Sequence, residues 1–172
     1  QVALTGDYDS AMQGCTRLQA CEDSVACTAT ETGLIAAKNH IKPKNQGGVG
    51  RQGTNKIVVL LTDGKPNLYS SSSSTISSYI RSNPSSNFYG NQYPQDAALM
   101  QTSMMQGDHW YLYPVGIGLG CDYDFMDRMA RMGTTDKDGQ GPRGSGNPAD
   151  YEARLTQIFQ NIITNPKLRI VQ

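Results

Sequence analysis

Lys56-Ile57-Val58-Val59-Leu60-Leu61-Thr62-Asp63-Gly64 is the stretch that decides the fold. Five consecutive apolar residues, three of them β-branched, are bounded by loop residues. The pattern predicts a strand buried on both faces, as in a parallel sheet flanked by helices. Asp63 falls at the carboxyl end of that strand. A second apolar run, Trp110 to Ile117, predicts another buried strand, ending in the tight turn Gly116-Ile117-Gly118-Leu119-Gly120. Helical periodicity separates and follows the two. Leu34, Ile35, Ala37 and Ile41 share a face from Thr30 until Pro43 stops the helix. Gln95 to Gln106 carries Ala98, Leu99, Met104 and Met105. Asp122 is placed to cap a helix bearing Phe125, Met126, Met129 and Ala130. Ala149 to Ile163 carries Leu155, Ile158, Phe159 and Ile162 as one stripe. Gln1–Leu4 and Leu168–Val171 read as short strands, and residues 10–27 as an irregular segment. Strands alternating with helices indicate an α/β, three-layer architecture with a mostly parallel central sheet, spread over residues 1–172 as a single domain. Ligands in such folds bind outside the carboxyl ends of the strands, which puts Asp63 and the Gly116–Gly120 turn on one edge.

The composition narrows the function classes. The 172 residues carry 15 Lys+Arg and 15 Asp+Glu, so there is no overall basic footprint for nucleic acid or an anionic membrane surface. No apolar run approaches the roughly 20 residues of a membrane-spanning helix. Polarity comes from Ser, Thr, Asn, Gln and 18 Gly more than from charge. Long polar excursions are expected at 68–94, with a short helix near Ile76–Ile80, and at the Gly-rich stretch 133–148. Cys15, Cys21 and Cys27 recur every six residues and Cys121 stands alone, an even count that suits an extracellular, disulfide-bonded chain. Three pairings are open. A zinc site is the rival, without a C-x-x-C or a histidine in ligand spacing.

Enzyme signatures are weak. The Gly116–Gly120 run lacks the G-x-G-x-x-G spacing, and there is neither a P-loop nor a nucleophile elbow. His40 and His109 are isolated. Asp122, Asp124 and Asp127 form no 12-residue calcium loop. The expectation is a protein without catalytic residues.

Two segments stand out together. Thr28-Ala29-Thr30-Glu31-Thr32-Gly33-Leu34 opens a helix with a hydroxyl-rich turn, and Thr62-Asp63-Gly64 closes the central strand. Together they resemble the von Willebrand factor type A domain, including the integrin inserted domains. Tyr113-Pro114-Val115-Gly116-Ile117-Gly118, followed by Phe125-Met126-Asp127-Arg128-Met129-Ala130, is similar to that family's later strand and helix. The resemblance implies a vWA/Rossmann-like sheet and a metal-ion-dependent adhesion site in which Thr28 and Asp63 hold Mg²⁺ or Ca²⁺. Neutral hydroxyls with few carboxylates leave such a cation electrophilic, so that an acidic side chain of a partner protein or neighbouring subunit completes its octahedron. Gly64, Lys65 and Asn67 would face that partner.

One family motif is missing. D-x-S-x-S, expected at the end of the first strand, has only Asp7-Tyr8-Asp9-Ser10-Ala11 as a degenerate counterpart. Reading Gln1–Leu4 as the family's second strand places the first strand, and that motif, upstream of Gln1. The closing segment, Leu155 to Ile162 and then Leu168 to Gln172, looks like the end of bacterial Tad-type pilus-assembly (TadG-like) proteins. The combined expectation is an extracellular adhesion or assembly module on a bacterial surface or pilus. The alternative is a metal-free scaffold or filament subunit of the same fold.

Overall fold

The computed structural model describes residues 7–16, 27–116, 121–135 and 151–164. It is an α/β arrangement in which a two-strand parallel sheet is flanked by helices. The elements run α1 (Tyr8–Thr16), α2 (Thr30–Ile41), a 3-10 turn (Lys44–Gln46), β1 (Lys56–Thr62), α3 (Ser73–Ser82), α4 (Tyr93–Gly107), β2 (Trp110–Gly116), α5 (Tyr123–Met132) and α6 (Tyr151–Thr164). β1 and β2 pair in register from Lys56 opposite Trp110 to Thr62 opposite Gly116.

α4 is the hub. Gln95 through Thr102 are all buried, so the helix is covered all round, and α2, α3, α5 and β2 pack on it. Leu34, Ile76, Leu99, Met100, Leu112, Phe125 and Met129 form the main core around it, and Val58 and Leu60 lean in from β1. The other face of the sheet carries a smaller cluster of Tyr113, Val115, Val59 and Tyr111.

The helix punctuation follows the expected chemistry. Lys42 is extended (φ −60°, ψ 156°), as the residue before Pro43 should be, and α2 stops there. The Asp122 carboxylate accepts the Phe125 N–H at 3.1 Å and starts α5. The Ser72 hydroxyl accepts the Thr75 N–H at 3.2 Å and starts α3.

Three expectations need correction. β1 is not buried on both faces: Ile57 and Leu61 are 40% and 42% exposed, because β2 is its one strand neighbour among the described residues. Residues 10–27 are not wholly irregular, since α1 forms over Tyr8–Thr16. It has no apolar stripe, and the local signal is Asp7, whose Oδ1 accepts the N–H groups of Asp9 and Ser10 at 3.0 and 3.3 Å. The excursion 68–94 is more ordered than a loop. Its helix spans Ser73–Ser82, anchored by fully buried Ile76, and α4 already begins at Tyr93. The strands expected at Gln1–Leu4 and Leu168–Val171, residues 117–120 of the glycine turn and most of the 133–148 loop lie outside the described residues. So do the side chains of Leu155, Ile158 and Ile162 in α6. Among the described residues no helix is long and apolar enough to cross a membrane.

Candidate metal and partner site

The exit of β1 and the entry of α2 meet at one edge. Thr62 closes the strand with its hydroxyl 3.2 Å from the Gly64 carbonyl, to which it donates, and 3.4 Å from the Gly64 N–H, which it accepts. Asp63 sits in this small turn and is exposed. The chain then returns along Thr28: the Asn67 Oδ1 accepts the Thr28 N–H at 2.7 Å, while the N–H groups of Asn67 and Leu68 donate to the Thr28 carbonyl at 3.1 and 3.3 Å. A Cβ placed on Gly64 would lie 3.2 Å from the Thr28 hydroxyl oxygen. Two residues paired by sequence pattern, Thr28 and Asp63, are therefore carried by segments in direct contact. Gly64 and Asn67 form that contact.

Lys65 adds a third element. Its ammonium lies 3.7 Å from the carboxylate of Asp122, the residue that caps α5. One edge of the molecule thus gathers the end of β1 and the starts of α2 and α5. Helix starts carry the positive end of the helix dipole, and Asp122 and Asp63 bring the opposite charge.

Glu31 was not singled out by sequence and is central to the geometry. It is fully buried in the first turn of α2. One carboxylate oxygen accepts the Ser70 N–H at 2.7 Å, the Ser71 N–H at 3.1 Å and the Ser70 hydroxyl at 3.2 Å. The other accepts the Ser71 hydroxyl and, at 3.5 Å, the Gln101 amide. Burial pushes its pKa up, but the Ser71 hydroxyl, the two N–H groups and the Ser70 hydroxyl together hold it below the ordinary glutamate value. The carboxylate binds the segment that follows Asn67 to the helix that follows Thr28. Its partners lie 39, 40 and 70 positions away in sequence, so no local pattern announces them.

The far end of the excursion is clamped as well. Buried Asp96 accepts the Tyr89 N–H at 2.7 Å and the Gln92 N–H at 3.3 Å; burial raises its pKa despite these bonds. Arg128 lies 4.1 Å over the Tyr89 ring, pairs with Asp124, and donates to the carbonyls of Ser86 and Asn87. The Tyr89 hydroxyl donates to Asp124 at 2.7 Å.

The remaining sequence candidates fall elsewhere. Cys121 is buried beside Gly116 and Cys27 is exposed, and no disulfide joins the two. Cys21 and the side chain of Cys15 lie outside the described residues. His40 is exposed near the end of α2, and His109 follows α4 at the opposite end of the sheet from Asp63.

Thr28 and Asp63 fit a hard divalent cation in donor type, one neutral hydroxyl and one carboxylate, with water able to take other positions. Among the described residues no three His, Cys, Asp or Glu side chains group as metal ligands. Comparison with protein-family models, with curated proteins and with solved structures finds no match for the chain.

Proposed function

We propose that this protein is a non-enzymatic adhesion or assembly module of the von Willebrand factor type A kind, with a three-layer sheet, acting on a bacterial surface or pilus. Thr28 and Asp63 would hold Mg²⁺ or Ca²⁺, and an acidic side chain from a partner protein or neighbouring subunit would complete the coordination. The observation that carries the reading is the contact of the Thr28 hydroxyl with Gly64, next to Asp63, at the carboxyl end of a parallel strand. Ligand sites in parallel α/β sheets lie at this edge. Lys65 supports it from the side, since an exposed ammonium beside the site favours an acidic partner. Gly64 supports it by leaving room where any side chain would crowd Thr28.

The test is a Mn²⁺ titration followed by EPR, with Thr28→Ala and Asp63→Ala as controls. Asp63 is exposed, so its replacement should leave the melting transition in place. Site-specific binding that disappears in both variants supports the metal-dependent reading. A folded protein that binds no Mn²⁺ overturns it in favour of a metal-free scaffold, whose contacts would then be sought in an assembled filament.

A further inference from the structure

A second feature lies at the other end of β1. Between Thr32 and Thr62 the chain carries Lys38, Lys42, Lys44, Arg51 and Lys56 and not one Asp or Glu, although the chain as a whole is balanced at 15 and 15. The fold brings three of the five, Lys38, Lys42 and Lys56, to one cavity. Pro43 bridges to Gly50, so the loop after α2 doubles back and delivers Lys56 to the start of β1 beside the last turn of α2. A cavity of about 510 Å³ opens there, lined by Lys38, Lys42, Lys56, Asp108, His109 and Trp110 among others. That volume falls within the range of small-molecule sites.

Its charge can be weighed. Asp108 pairs with Lys38 at 2.7 Å. The carboxyl ends of α2 and α4 face the same region and together contribute about one negative charge. Against three ammonium groups, this leaves a surplus of about one positive charge. Among the described residues the Lys42 ammonium reaches only the neutral Asn39 amide oxygen, at 3.4 Å. Lys56 is 9% exposed and donates to the carbonyl of Arg51, the carbonyl of Thr54 at 3.1 Å and the Thr54 hydroxyl at 2.6 Å. Its hydrogen bonds are made, yet its charge meets no carboxylate among the described residues. A buried charge without a counter-charge is costly, and an anion in the cavity relieves that cost.

His109 follows α4 in the left-handed conformation common after helices (φ 61°) and sets its imidazole at the cavity rim.

We infer that this cavity is a binding site for a tetrahedral oxyanion, phosphate or sulfate, borne on a small ligand. Lys42 supplies the unpaired cation, Lys38 and Lys56 supply field, His109 donates from the rim, and Trp110 offers apolar surface to the rest of the ligand. The site is separate from the Thr28–Asp63 edge and does not depend on metal binding there.

Inorganic phosphate, pyrophosphate and inorganic sulfate, titrated separately against the whole chain by calorimetry and amide NMR, test it. Saturable binding is expected, with shifts at residues 38–42 and 108–110. It should weaken about tenfold in Lys42→Gln, and further in Lys38→Gln, which also leaves Asp108 unpaired. Arg81→Gln, on α3 and outside the cavity lining, should leave this binding unchanged. Inorganic phosphate binding tighter than sulfate would point to a phosphorylated ligand, and tighter sulfate binding to a sulfated one. Absence of saturation in protein that melts normally, or an equal loss in Arg81→Gln, would overturn the assignment.

Discussion

Asn67 and Thr28 are joined by a closed pair of hydrogen bonds: the Asn67 side-chain oxygen takes the Thr28 N–H at 2.7 Å, and the Asn67 N–H gives to the Thr28 carbonyl at 3.1 Å. The arrangement fixes the segment leaving β1 against the segment entering α2. Asn67→Ala removes the side-chain half and leaves a backbone N–H to solvent. The expected loss is about 1 kcal/mol in urea unfolding. Under the proposed function, Mn²⁺ affinity should fall with it, because the Thr28 hydroxyl loses its fixed relation to Gly64. Unchanged stability would show that Asn67 does not hold this contact.

Gly64→Ala probes the same contact from the other side. Its new methyl would lie 3.2 Å from the Thr28 oxygen, closer than ordinary van der Waals contact. Thr28 is half-buried at the surface and can give by a few tenths of an ångström, so the fold should tolerate the change with a loss below about 1.5 kcal/mol. Under the proposed function, Mn²⁺ binding should suffer more than stability does, since displacing the hydroxyl would spoil a ligand without opening the core. Equal effects on both would argue that the turn is purely structural.

The two buried carboxylates that hold the excursion should titrate with opposite signs. The pKa of Glu31 is lowered from 4.5, so its contribution is present above that value and is lost as pH falls through the folded value. The pKa of Asp96 is raised from 3.8, so its ionisation favours the unfolded chain. Its contribution is full below 3.8 and declines as pH rises through the folded value. Glu31→Gln should therefore cost stability at neutral pH, roughly 3 kcal/mol for breaking a buried, multiply bonded charge, and should flatten the acid limb of the stability profile. Asp96→Asn should compare more favourably with the parent at neutral pH than at pH 3. Urea midpoints measured across that range decide both, and parallel profiles for the two variants would contradict the assignment.

These carboxylates also show where sequence reading stops. β1, β2, α2 and α5 were legible because each is announced locally, by an apolar run, by Pro43, or by Asp122 three residues before Phe125. Thr28 and Asp63 were paired through a resemblance alone, and what the fold adds is that their segments touch. Glu31 was not, since its meaning lies in Ser70 and Ser71, whose approach depends on the path of the whole excursion. The strand face at Ile57 and Leu61 was misread because an apolar run reports what a strand could bury, not which neighbours cover it. The acid-free stretch from Thr32 to Thr62 was present in the sequence as composition, and only the doubling back at Pro43 and Gly50 makes it a cavity wall.

Tyr113 offers a simpler check on the second face of the sheet. Its hydroxyl is buried and has no hydrogen-bond partner among the described residues, while its ring packs with Val115, Val59 and Tyr111. A buried hydroxyl without a partner costs roughly 1 to 3 kcal/mol. Tyr113→Phe keeps the ring and removes the cost, so the melting temperature should rise or stay level. A clear drop would mean that the hydroxyl is bonded to a group outside the described residues.

His109→Gly separates stability from binding at the opposite end. The backbone there is left-handed at φ 61°, and glycine removes the Cβ penalty at the end of α4. The gain is tempered by the looser unfolded chain, leaving up to about 1 kcal/mol of added stability. If the cavity beside Lys42 and Trp110 takes an oxyanion, the same variant should bind pyrophosphate more weakly, because the rim donor is gone. A more stable protein with a weaker site is the expected combination, read by thermal melting and calorimetry on one sample. Added stability with unaltered pyrophosphate affinity would remove His109 from the site.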